Sequence, residues 1–120
     1  MADQQLISVN VIHEFMIDVF ERLGTPPDDA RICADVLIAS DLRGIESHGV
    51  GRLKYYYDRI QRGQHRTQTE IEIVKETETT AVIDGHHGMG HVVAHRAMEI
   101  AIEKARRYGL GAVAVRNGTH

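Results

Sequence analysis

The sequence has a single cysteine, Cys33, so no disulfide can form within the chain, and the count gives no sign of an oxidising compartment. Its place in a helical pattern marks a packed thiol rather than a reactive one. Long apolar runs are absent. No stretch approaches the length of a membrane span, and the first residues lack the basic-then-apolar layout of a signal peptide. A soluble, cytoplasmic protein is the expectation. Charge of one sign is also missing. Fourteen Lys and Arg against seventeen Asp and Glu leave a formal net charge of −3, which argues against a generic nucleic-acid-binding surface. There are two prolines, adjacent at Pro26-Pro27, and no internal repeat or low-complexity segment. What remains is ordinary: 120 residues, 42% hydrophobic and 26% charged, enough for one domain with a core.

Hydrophobic spacing predicts the elements. Ile12, Phe15, Met16, Val19, Phe20 and Leu23 recur at helical intervals, giving a first helix over 9–23 with Ser8 as its cap and Gly24 as its end. A second helix starts near Pro27, carries Asp28 and Asp29 in its first turn, turns Ala30, Cys33, Ala34, Leu37 and Ile38 inward, and runs to about Leu42. A third spans 47–62, with Val50, Leu53, Tyr57 and Ile60 as its packing stripe. After Thr67 the period changes. Ile71 and Ile73 alternate with Glu70 and Glu72 as a strand; Thr79 to Ile83 forms a second, and the Lys75–Glu78 break is short enough for a hairpin. A long helix over 89–108, with Val92, Met98, Ala101, Ile102 and Ala105 on its buried side, leads to a strand over 110–115. The predicted class is α/β (α+β): a three-helix subdomain over 1–66, then the start of a sheet-and-helix domain over 67–120.

The stretch richest in chemistry is Ser47-His48-Gly49-Val50-Gly51-Arg52. Ser47 reads as the N-cap of the third helix, which places His48 in its first turn and lines His48, Arg52 and Tyr56 along one face. A helix N-terminus suits an anion, Arg52 can fork a carboxylate, and an imidazole beside it can exchange a proton near neutral pH. The plainer reading is a surface helix with scattered polar residues. Tyr56 either hydrogen-bonds a substrate or packs at the edge of the core. Asn117 contacts substrate or shapes its turn. In Gly85-His86-His87-Gly88-Met89-Gly90-His91, Gly88 and Gly90 suggest a phosphate cradle, but the dinucleotide fingerprint is incomplete; the glycines are expected to let the chain turn sharply from Asp84 into the helix. His87 and His91 have the spacing of zinc ligands, yet incidental surface histidines are the better expectation.

The run Ala39-Ser40-Asp41-Leu42-Arg43-Gly44-Ile45-Glu46-Ser47-His48-Gly49-Val50-Gly51-Arg52-Leu53 resembles the malate/L-lactate dehydrogenase family. The likeness continues through Asp84-Gly85, Gly88-Met89-Gly90, Ala97-Met98 and Val115-Arg116-Asn117-Gly118-Thr119-His120. The resemblance implies an NAD- or NADP-dependent oxidoreductase acting on a small 2-hydroxyacid or 2-oxoacid such as malate or L-lactate. The family also holds sulfolactate, ureidoglycolate and diketogulonate enzymes and some imine reductases. It implies two catalytic histidines, His48 and His120, although Gly118 and Thr119 depart from the family's usual asparagine-serine-X-histidine segment. Either can transfer the proton, and the helix-start position favours His48. It implies substrate contacts from Arg52, Tyr56, Ser47 and Asn117, a homodimer, no metal, and cofactor-binding residues that lie downstream. On this reading the chain is an N-terminal piece, inactive alone. Two other classes stay open: a non-catalytic binding or dimerisation module, and a small histidine-rich metal binder.

Overall fold

The computed structural model describes residues 3–120. Its elements run α1 (Val9–Arg22), α2 (Pro27–Leu42), two single 3₁₀ turns (Glu46–His48 and Val50–Arg52), α3 (Leu53–Gln61), β1 (Glu72–Glu76), β2 (Thr80–Asp84), α4 (Gly90–Tyr108) and β3 (Ala112–Arg116). The expected α/β class holds: four α-helices and one three-stranded sheet, ordered β1-β2-β3. β1 and β2 pair antiparallel, with an irregularity between Ile73 and Lys75. β2 and β3 pair parallel, with α4 as the crossover that parallel neighbours require.

Two apolar clusters hold these elements. The first gathers Met16 and Phe20 from α1, Ala30, Cys33, Ala34 and Leu37 from α2, Leu53 and Tyr56 from α3, and Met89 and Val92 around the start of α4. Met16 and Phe20 have no exposed surface, and burial on that scale contributes about 1.5–3 kcal/mol per large side chain. The second cluster packs Ile83 of β2 against Val93 and Ala97 of α4. The first turn of α4 therefore belongs to both clusters. A partly buried ion pair reinforces that junction. Arg96 of α4 donates to Asp29 of α2 at 3.0 Å and to the Thr69 carbonyl at 2.8 Å.

Several expectations are corrected. Ser8 makes no side-chain cap, and Phe15 is 53% exposed although it shares the periodic stripe of α1. In α3 the inward tyrosine is Tyr56, not Tyr57, because the helix begins at Leu53 and its stripe runs Leu53, Tyr56, Ile60. In α4 the inward stripe is Val93, Ala97, Ile100 and Lys104, while Met98 and Ile102 face outward. Lys104 escapes a polarity pattern because its stem packs while its ammonium donates to Glu76 at 2.8 Å and to the Thr77 carbonyl at 2.7 Å. β1 continues through Lys75 to Glu76, so the hairpin turn is shorter than expected, and every β1 residue is exposed rather than alternating.

Candidate functional site

The segment between α2 and α3 is built around Asp41. Its carboxylate accepts the Val50 N–H at 2.8 Å, satisfying a donor at the start of the turn that feeds α3. Gly49 passes so close that a Cβ there would overlap that carboxylate. Ser47 is consequently not the N-cap of a long helix. The helix starts six residues later than Ser47, at Leu53, and Ser47 and His48 sit in a 3₁₀ turn. His48 therefore does not stand in the first turn of an α-helix, where its spacing placed it. Ser47 instead holds the imidazole: its Oγ is hydrogen-bonded to His48 Nδ1 at 2.8 Å. That contact orients the ring and leaves Nε2 as its second nitrogen.

The C-terminal turn is fixed from the sheet. Asp84, 5% exposed, accepts the His86 N–H at 2.8 Å, Arg116 Nε at 2.8 Å, and Asn117 Nδ2 at 3.2 and 3.1 Å on its two oxygens. The His86 amide, then the Asn117 and Arg116 side chains, hold the Asp84 carboxyl down at about 2 despite burial. Asn117 adopts φ 53°, a conformation asparagine tolerates, and its side chain is committed to Asp84 rather than to the cleft described below. Thr119 then docks on the start of α4, donating to the Gly88 carbonyl at 2.6 Å and accepting the Gly90 N–H at 3.1 Å. A Cβ at Gly90 would overlap the Thr119 carbonyl. The glycines thus permit close chain approach, whereas the sharp turn after Asp84 places positive φ on His86 (47°) and His87 (60°), contrary to expectation.

These two constructions meet. A cleft of about 510 Å³ is lined by His48, Tyr56, His91, His95, Thr119 and His120, among others. It joins the two histidines singled out from the sequence, which lie far apart in the chain. Tyr56 forms part of the wall while its ring belongs to the core. Burial raises the Tyr56 phenol, with the Arg52 charge opposing. Arg52 stands beside the cleft without lining it. Its guanidinium lies 4.9 Å over the Tyr55 ring, and Tyr55 in turn donates its O–H to the His120 carbonyl at 3.0 Å. Arg52 makes no ion pair with any described residue.

The sequence reads His91 as an incidental surface histidine and gives no role to His65. His91 is not a surface histidine. Its ring meets the Tyr56 ring edge-on at 4.9 Å. Burial, then the charges of His65, Arg52 and His120, pull it down to about 4, so it is neutral at pH 7. His65, 6% exposed, packs on the opposite neighbours Tyr55 and Tyr56 and is also lowered, by burial and then by Arg59. The available signal was the spacing of His91 and His95, one helical turn apart and beside the inward Val92. A larger depression of about 730 Å³, between the hairpin and α4, holds none of these histidines, and its charged rim is partly self-paired through Lys104 and Glu76. Among the described residues, no three His, Cys, Asp or Glu come together as a metal site, and no helix is long and apolar enough to cross a membrane.

An α/β scaffold with imidazoles, a phenol and a nearby guanidinium around one cleft can exchange protons with a bound anion. A family model for malate/L-lactate dehydrogenase matches residues 7–120, and the chain belongs to that family. It is 51% identical over 109 residues to a malate dehydrogenase of Pyrococcus abyssi, covering 91% of this chain and 30% of that protein. It is 47% identical over 107 residues to an L-sulfolactate dehydrogenase of Methanocaldococcus jannaschii, covering 89% of this chain and 31% of that one. Among solved structures, malate dehydrogenase from Entamoeba histolytica superposes with a TM-score of 0.95 at 44% identity, over 98% of this chain and 33% of that chain. The chain spans about a third of the length of the relatives it matches.

Proposed function

We infer that this chain forms the N-terminal, substrate-binding part of an NAD- or NADP-dependent 2-hydroxyacid dehydrogenase, with malate as the first substrate and L-lactate and sulfolactate as alternatives. The observation that carries this reading is the convergence of His48 and His120 on one cleft. The bound nicotinamide supplies the hydride acceptor or donor, and the chain's own groups handle the proton and the carboxylate. His48 takes the hydroxyl proton in oxidation and returns it in reduction, with its ring held by Ser47. His120 orients the substrate from the opposite segment, and Tyr56 offers a phenol from the wall. Arg52, without an ionic partner among the described residues, reaches for the carboxylate.

No cofactor contact is assigned to this chain. The turn before α4, with its Gly88 and Gly90, is filled by protein: a Cβ at Gly88 would meet Thr69, and one at Gly90 the Thr119 backbone. It is therefore not a phosphate cradle, and the dinucleotide is placed on other residues of the complete protein. The complete protein is a homodimer acting in the cytoplasm on this reading. The test is nicotinamide absorbance with malate, L-lactate and sulfolactate, each with NAD and with NADP. Turnover of at least one pair is expected, and none with any pair contradicts the assignment.

A further inference from the structure

We propose that His91 is a third substrate-contacting histidine, hydrogen-bonding a carboxylate or carbonyl oxygen of the bound acid through Nε2. The proposal rests on the 2-hydroxyacid reading of the cleft and assigns that cleft a further residue. Three observations carry it. His91 lines the cleft with His48, Tyr56 and His120. Its Nδ1 is buried with no hydrogen-bond partner, which leaves Nε2 as the nitrogen available to a ligand. The ring is held edge-on against Tyr56 at 4.9 Å, while Val92 beside it in sequence is wholly buried, so the imidazole has a fixed seat rather than a surface position.

The chemistry follows from these constraints. A neutral imidazole carries one N–H and one lone pair. Placing the proton on Nε2 leaves only the lone pair in the dry position, a smaller loss than an orphaned N–H, and aims a donor at the cleft. Burial and the neighbouring positive groups keep the ring neutral near pH 7. His91 therefore serves as a hydrogen-bond donor without carrying a charge, a role distinct from the proton exchange assigned to His48.

The experiment compares the complete protein with two variants. His91→Phe keeps the aromatic edge against Tyr56 and removes both nitrogens. His91→Gln keeps an N–H donor and cannot titrate. Oxalate binding at pH 7 is measured by calorimetry, KM for malate by turnover, and folding of each variant by its Tm. Loss of one such bond lowers affinity by about three- to tenfold. The expected result is that loss for oxalate and malate in His91→Phe, near-wild-type values in His91→Gln, and a Tm in both variants close to the parent's. Wild-type affinity in His91→Phe overturns the proposal alone. Equal weakening in both variants, accompanied by a lowered Tm, also overturns it, since that is the signature of a packing residue. Failure of the wild type to turn over malate, L-lactate or sulfolactate with either nicotinamide removes the functional reading and this inference with it.

Discussion

Gly49 and Asp41 show how a single residue sets the site. The Ser47-His48-Gly49 segment invites the reading of a serine cap, and the cap is in fact an aspartate contributed by the preceding helix. Local spacing cannot reveal a donor–acceptor pair closed by a turn whose path is set by Gly49. Gly49→Ala forces its new methyl against the Asp41 carboxylate, and the expected cost is about 1–3 kcal/mol in urea unfolding. The double variant Gly49→Ala/Asp41→Ala should recover part of that loss; no recovery would mean the clash is elsewhere. Arg52 belongs to the same scale. In the complete protein Arg52→Lys keeps the charge and loses the planar fork, so KM for the hydroxyacid should rise about tenfold or more, with the KM for nicotinamide unchanged. A rise for the nicotinamide alone would put Arg52 on the wrong ligand.

At the scale of elements, the sequence reads best in α2, whereas the equally plain stripe of α1 includes the exposed Phe15. The inward set of α2, Ala30, Cys33, Ala34 and Leu37, is as the spacing predicts. It was uninformative where polar residues pack. Lys104 and Asp29 are buried because Glu76 and Arg96 meet them, and those partners lie in elements distant in sequence. For the same reason His91 reads as a surface residue until Tyr56 is placed beside it. Arg96→Met leaves the Asp29 carboxylate buried without its cation. The expected destabilisation is about 2 kcal/mol, below the loss for a fully buried pair because Arg96 keeps 33% of its side chain in water. Thermal unfolding checks it, and an unchanged Tm would remove the ion pair from the account of how α2 and α4 are joined.

For the whole molecule, His91 and His65 make stability depend on acidity. Both are lowered in the fold, so between the ordinary histidine value and the folded value the unfolded chain binds more protons. Stability is then fully present above pH 6.5 and declines as pH falls toward about 4, the folded value of His91. The His91 contribution is on the order of 3 kcal/mol at most, and His91→Phe should flatten the slope in that window. An equal slope in the variant, by urea unfolding at stepped pH, would assign the acid sensitivity to other groups. The β1–β2 hairpin and the family were legible in the sequence, whereas the parallel pairing of β3 with β2 and the cleft were not, because the walls of the cleft are fixed by Asp41 and Asp84 through contacts that no period encodes.

On the proposed reading, His48 and His120 act on one substrate in that cleft. The decisive experiment is the pH profile of kcat/KM for malate in the complete protein, alongside His48→Ala and His120→Ala. His48→Ala is expected to lower kcat by about 10²–10⁴ and to abolish the limb controlled by the imidazole. His120→Ala is expected to raise KM and keep the limb. The reverse pattern would exchange the two roles, and wild-type profiles in both variants would contradict that reading itself.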